Sequence, residues 1–361
     1  MYDIAVIGAG INGSSIAYEL SNAKKSVVVF DTAIAAGGSG AAGAFISPKF
    51  SKSGELKDII HEAFLYSMEY YEKNFSRYFQ KTRLVHLAKD EKDDEILRVY
   101  KNSTPLKLYE VQNGVRESIS IDSGIVDANG ICISMLDGID MIHEHVDTLV
   151  YDDGYWIINE SYSAKEVVLA TGAYESIVKE PYIKLRGVWG HRIDVKTSTK
   201  NTLSIHQFVS ISPSNDGVVA IGATHDVHYH PQRSKEKYDF SKGREELLQK
   251  ASKSIELKDI EIVKDYVGLR SGSFDYMPMV GSLVLSKETL MDKSINFKVK
   301  KADTSKYLYY PNLYMINGSG GYGFVLAPYL AKILKEHILS DTKISDRVAP
   351  SRFFARWAKK L

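Results

Sequence analysis

The run Gly8-Ala9-Gly10-Ile11-Asn12-Gly13 constrains this chain more than any other segment. It reads G-x-G-x-x-G, and its flanks decide its meaning. Residues 3–7 are a short apolar stretch, residues 11–23 carry apolar side chains at helical spacing, and residues 26–30 are a β-branched run closed by Asp31. The pattern is a strand, a tight turn, a helix and a second strand. In such a unit Gly8 makes the turn, Gly10 lets the backbone approach a pyrophosphate, and Gly13 lets helix and strand pack closely. The helix opening at Ile11 and Asn12 turns its free N–H groups and positive dipole end toward the phosphates. Asp31, eighteen residues beyond Gly13, is placed to accept both ribose hydroxyls of an adenosine. A glycine-rich turn with no ligand is the alternative, and the strand–turn–helix context disfavours it.

At 361 residues the chain exceeds the usual size of one core, so two domains are expected. Forty-six Lys and Arg against 45 Asp and Glu give a net charge of +1, which excludes a strong global pull toward nucleic acid or an anionic membrane. Cys132 is the only cysteine, so no disulfide framework, CxxC pair or thiolate-rich metal site forms within the chain. A reducing, cytoplasmic setting fits. The apolar stretch 4–20 lacks a basic leader and is broken by glycines, unlike a signal peptide. Nothing approaches an uninterrupted membrane span, and a soluble protein is expected.

Periodicity predicts a long amphipathic helix over 55–79, a buried strand ending at Ala170-Thr171-Gly172, and helices over 241–254 and 324–339. Residues 90–94 and 301–306 read as solvated connections. Short β-rich stretches between 185 and 224, with the turn signal Ser214-Asn215-Asp216-Gly217, predict an antiparallel sheet. The fold class is thus α/β plus α+β: a Rossmann-like domain and a second domain with a mostly antiparallel sheet. Residues 1–52, 126–182 and 266–361 are assigned to the first, and 53–125 and 183–265 to the second.

The fingerprint alone does not separate FAD from NAD. Gly37-Gly38-Ser39-Gly40-Ala41-Ala42-Gly43 has side chains too small to block a flat ligand. Gly318-Ser319-Gly320-Gly321-Tyr322-Gly323 precedes the last long helix, giving a second helix N-terminus that suits the electron-rich edge of a reduced flavin. Either run alone is commonly a loop; with the fingerprint they point to FAD.

These segments resemble the D-amino acid oxidase family of FAD-dependent oxidoreductases. The likeness runs through the fingerprint, Ser39 to Gly43, Ala170-Thr171-Gly172, Gly222-Ala223-Thr224, Gly268-Leu269-Arg270 and Gly323-Phe324-Val325-Leu326-Ala327-Pro328. It implies a glycine oxidase-like fold, and FAD held by Gly8, Gly10, Ile11, Asn12, Gly13, Asp31, Ser39, Gly40, Ala41, Ala42, Gly43, Val146, Thr171, Gly172, Gly318, Gly320, Gly321, Tyr322 and Gly323. Cys132 matches no flavin-attachment motif, so the FAD is expected to be noncovalent. The family assigns the arginine of Gly-Leu-Arg to the substrate carboxylate, which falls on Arg270; from residue type alone a structural ion pair is the competing role. His225, after Gly-Ala-Thr, matches a pocket-lining position. Some members carry a second arginine where this chain has Gly321, and Tyr322 is the candidate substitute. His225, His228 and His230 are irregularly spaced with no cysteine or carboxylate partner, so no metal is expected.

Within the family, Asp275-Tyr276-Met277-Pro278-Met279-Val280-Gly281 and the closing 349–357 resemble the oxidoreductase domain of bifunctional enzymes that modify the tRNA wobble uridine. The implied reaction removes the carboxymethyl group of a carboxymethylaminomethyl uridine. Ser39 to Gly43 lacks the asparagine and arginine of that domain. The alternative substrates are free glycine, sarcosine or D-amino acids; a flavin-binding scaffold without turnover is a third reading, against which Arg270 weighs. The tail 347–360 interleaves Arg347, Arg352, Arg356, Lys359 and Lys360 with Phe353, Phe354 and Trp357. Such a tail either grips RNA or docks on its own protein.

Overall fold

The local patterns resolve into two sheets in the computed structural model, which describes residues 1–111, 116–174, 177–299 and 303–361. The strand Tyr2–Ile7 has neighbours on both sides, and its last four residues are buried. It pairs in parallel with Val27–Phe30 and with Tyr162–Leu169. Tyr309–Asn317 and Asp140–Ile142 extend the parallel array on either side. Met279–Val284 adds an antiparallel edge, and a hairpin of Leu149–Asp152 and Tyr155–Ile158 branches from Tyr162–Leu169. The helix Ile11–Asn22 packs on Gly323–Ser340, which packs in turn on Glu55–Asn74. Their apolar faces close the largest core around Ile16, Leu20, Leu326 and Leu330.

The second sheet has nine strands. From one edge they run Glu261–Ser273, Leu185–Lys196, Val218–Gly222, Ser210–Ile211, Ser204–His206, Phe79–Leu87, Ser118–Val126 and Phe45–Ile46, with Leu108–Tyr109 as a branch. The pairings are antiparallel except that of Ser204–His206 with Phe79–Leu87. A parallel dinucleotide-binding sheet facing a mostly antiparallel one is the architecture expected above.

Three local expectations are corrected. The helix beginning at residue 55 ends at Asn74, because Phe75 leaves the helical region (φ −140°, ψ 37°), and Phe79 already opens a strand. Residues 90–94 are not a connection: Asp90 caps the helix Glu91–Ser103 by accepting from the Asp93 N–H, and the acids of its first turn sit at the positive dipole end. The other stretch read as a connection is not among these corrections: Lys301 and Ala302 lie outside the described residues, and Thr304–Lys306 form a short 3-10 turn. The helix placed at 241–254 runs Phe240–Ala251, capped by Asp239.

Of the two readings for the basic tail, the docked helix forms. Ser351–Ala358 buries Phe353 and Phe354. The Arg352 guanidinium holds Asp275 through two nitrogens at 3.0 Å, and Arg356 adds a third bond at 2.9 Å. The two phenylalanines are therefore core and not a base-stacking surface. Among the described residues no helix is long and apolar enough to cross a membrane.

Candidate active site

A cavity of about 1090 Å³ opens where the C-terminal ends of the parallel strands meet the second sheet, the usual ligand position for such sheets. Gly8 sits at φ 113°, and a Cβ there would lie 2.4 Å from the Ala170 carbonyl oxygen; one on Gly13 would lie 1.8 Å from the Gly8 carbonyl oxygen. No side chain fits at either position, so turn, helix and sheet come together. The helical ladder begins with the Ser14 N–H to the Gly10 carbonyl at 2.8 Å, and the Ile11 N–H is taken by Ser39 Oγ at 2.9 Å. The N–H groups of Asn12 and Gly13 precede the ladder and are those a phosphate would meet.

Asp31 lines the cavity with one oxygen already engaged, since Oδ2 accepts the Ala9 N–H at 2.7 Å. The carboxylate thus braces the fingerprint turn. Its Oδ1 has a 3.5 Å contact from Thr32 Oγ1. Thr171 also lines the cavity, and its hydroxyl oxygen is buried with no partner. A helix N-terminus, a carboxylate, an unmet hydroxyl and two flanks of glycine-rich backbone fit FAD.

Of the other residues singled out in the sequence, Gly10, Ile11, Asn12, Ser39, Ala41, Ala42, Gly43, Val146, Gly172, Gly320, Gly321, Tyr322 and Gly323 line the same cavity. Gly13, Gly40 and Gly318 lie outside its lining, and so does the exposed His225. The His225 imidazole is held below its ordinary pKa by partial burial and then by the guanidiniums of Arg270 and Arg186. The Tyr322 phenol is pushed up to about 12, chiefly by burial. Among the described residues no group of three or more His, Cys, Asp or Glu is arranged to hold a metal.

Arg270 lies on the edge strand Glu261–Ser273, paired with Val188. Its guanidinium rests over Gly190, where a Cβ would be 2.3 Å from Nη2. Nη2 donates to the Thr224 carbonyl at 2.5 Å. Burial lowers its pKa, yet an arginine stays charged. Among the described residues no carboxylate pairs with it. A partly buried, unneutralised guanidinium in a cavity wall offers planar donors of the kind a carboxylate accepts.

Sequence reasoning missed residues that reach the cavity by register. Arg192 Nη1 donates to the Ala42 carbonyl at 2.6 Å, and its guanidinium stacks on Tyr266 at 3.8 Å. Asn317 donates to the Gly172 carbonyl at 2.9 Å and accepts from Ser271 Oγ and the Gly318 N–H, both at 2.8 Å. His86 and His206 also line the cavity. None sits in a local motif; only strand alternation marks which face each would take.

Comparison with known proteins agrees with this geometry. The family described as "DAO: FAD dependent oxidoreductase" matches residues 3–337. The tRNA 5-methylaminomethyl-2-thiouridine biosynthesis bifunctional protein MnmC of Marinobacter nauticus is 23% identical over 97% of this chain, and that of Leptospira interrogans 25% identical over 99%. The chain spans 58% and 61% of the length of those relatives. Among solved structures, glycine oxidase from Bacillus cereus aligns with a TM-score of 0.73 at 18% identity, covering 95% of this chain and 96% of its own. L-Proline dehydrogenase from P. horikoshii gives 0.73 at 17%, covering 98% and 97%. These structural likenesses speak for the fold, and the match over most of the sequence gives the family: the chain belongs to the DAO family of FAD-dependent oxidoreductases.

Proposed function

We propose that this chain oxidises a carboxylate-bearing secondary amine, the carboxymethylaminomethyl group of a uridine in tRNA, and so removes the carboxymethyl group. The observation that carries this reading is Arg270, a half-buried guanidinium in the cavity wall with one bond to a backbone carbonyl and no carboxylate beside it among the described residues. The names of the MnmC relatives support the tRNA substrate. In this reading residues 1–52, 126–182 and 266–361 make up the FAD-binding domain and 53–125 with 183–265 the substrate domain, with Phe45–Ile46 and the end of Glu261–Ser273 crossing into the second sheet and Glu55–Asn74 packing back on the first core.

The substrate R–NH–CH2–COO⁻ gives up a hydride from the carbon next to nitrogen and a proton from nitrogen, leaving an imine. Water adds to the imine and the C–N bond breaks, yielding R–NH2 and an oxo acid. FAD, when bound, supplies the electron acceptor. Arg270 receives the carboxylate through its planar donors and so fixes which C–H bond faces the reacting position. Arg192, bonded to the Ala42 carbonyl, ties the second sheet to the small-residue loop. Cys132 is fully buried and its thiol is pushed up to about 12 by burial, which supports noncovalent FAD. A cytoplasmic setting follows from a tRNA substrate.

Anaerobic mixing of the FAD-loaded protein with carboxymethylaminomethyl-modified tRNA, and in parallel with glycine, sarcosine and D-amino acids, tests the reading. The tRNA should bleach the flavin fastest. Faster bleaching by a free amino acid assigns the chain to small amines, the rival that Arg270 would serve equally well.

A further inference from the structure

Five strands of the second sheet each place one residue in a single cross-strand row. Arg192 pairs with Gly222, Gly222 with Ser210, Ser210 with His206, and His206 with His86. All five line the cavity. At the far end Phe50 stacks on His86 with ring centroids 4.5 Å apart at 28°, and Phe45 meets His206 edge-on at 5.0 Å. Both phenylalanines line the cavity as well. The row therefore ends in an aromatic chamber.

Two ring nitrogens of this chamber, His86 Nδ1 and His206 Nε2, are buried with no hydrogen-bond partner. Buried polar groups are ordinarily paired, so each unmet nitrogen marks a place for a polar ligand. Burial holds His86 down to about 4 and His206 to about 3, so both rings are neutral near pH 7. A neutral imidazole offers one donor and one acceptor. The chamber thus combines aromatic faces with uncharged, two-way hydrogen bonding, as a planar heterocycle requires.

We propose that the chamber walled by Phe45, Phe50, His86 and His206 is the subsite for the pyrimidine ring of a uridine substrate, with the aromatic rings stacking on the base and the imidazoles bonding its carbonyl and imide edge. This rests on the amine-oxidation reading above and adds what separates a nucleoside from a free amino acid. The Arg270 guanidinium lies over Gly190, three strand spacings from His206, on the order of 15 Å. Glycine or sarcosine held at Arg270 ends within a few bonds and leaves the chamber untouched. A carboxymethylaminomethyl-substituted base extends along that path.

The test uses the FAD-loaded full chain as wild type, His206→Phe, His86→Phe and Phe50→Leu. Each is titrated with the nucleoside 5-carboxymethylaminomethyluridine and, separately, with sarcosine, following the flavin absorption shift. Each histidine variant should bind the nucleoside about tenfold more weakly, as the loss of a buried hydrogen bond implies, with sarcosine binding, flavin content and melting temperature unchanged. Equal loss for both ligands, or an unchanged nucleoside affinity, overturns the chamber. Where a histidine variant loses flavin or fails to fold, Phe50→Leu, which keeps apolar bulk and loses the stacking face, must show the same selective loss. On anaerobic rapid mixing the immediate absorption shift reads binding and the slower bleaching reads turnover, so the two readings fail separately. A nucleoside that binds through His206 but never bleaches the flavin sinks the proposed reaction and leaves the chamber standing, whereas bleaching that is indifferent to His206 does the reverse.

Discussion

The Tyr71 hydroxyl donates to the Phe324 carbonyl oxygen at 2.7 Å, and that carbonyl is the one Pro328 leaves without its helical donor. A proline inside a helix has no N–H to return to the residue four positions earlier, so the helix Gly323–Ser340 takes its donor from the helix Glu55–Asn74. Ser67 Oγ donates to the next carbonyl, that of Val325, at 2.7 Å. The N-terminal turn that borders the cavity is fixed from outside.

Tyr71→Phe should therefore lower unfolding stability by about 1–3 kcal/mol, because it leaves a buried carbonyl unpaired while keeping the ring. Urea unfolding followed by circular dichroism measures this. A wild-type midpoint would show that the carbonyl finds another donor.

Asp31→Ala removes both the carboxylate in the cavity and the acceptor that braces Ala9. FAD affinity should fall by about 1.5–3 kcal/mol, the range for hydrogen bonds to a charged group. Fluorescence titration of the apoprotein reads the change, and an unaltered affinity would place the adenosine elsewhere.

Arg270→Lys keeps the charge and loses the planar pair of donors. Flavin reduction by carboxylate-bearing amines should slow markedly in stopped-flow bleaching, with FAD content and melting temperature near wild type. A joint fall in stability and flavin content would mark Arg270 as a structural residue.

His206 carries a pH signature. It stays neutral in the folded chain down to about 3, whereas its ordinary value is 6.5. Below 6.5 the unfolded state binds more protons, so this residue costs stability progressively as pH falls from there toward its folded value. His206→Phe should flatten the loss of stability between about pH 6 and pH 4 relative to wild type. Parallel stability curves for the two proteins would contradict a buried, neutral imidazole.

What the sequence revealed follows the range of the interactions involved. The fingerprint, Asp31 and the two glycine runs are contiguous, and their steric demands are local, so they could be read directly. Arg270 was legible only through its motif, since nothing local says that Gly190 and Thr224 lie against it. His86 and His206 stand 120 positions apart in the sequence and meet only because their strands pair in register. The cap on Glu91–Ser103 was open to reading: an aspartate three residues before another acid, ahead of Ile96 and Leu97, is an N-terminal signal. Charge density hid it.

Asn12 and Ser319 are hydrogen-bonded at 3.2 Å across 307 positions of sequence. The fingerprint turn is synthesised about 300 residues before its facing wall, which comes with the strand Tyr309–Asn317 and the glycine run after it. A nascent chain that has passed the fingerprint still has no pocket. Cofactor capture is thereby a late event in biogenesis, reserved for chains that have brought both ends of the sheet together. Because FAD then binds only that state, it adds RT ln(1 + [L]/Kd) to its stability. Cells short of flavin should hold less of this protein because more of it is degraded, even where the message is translated normally.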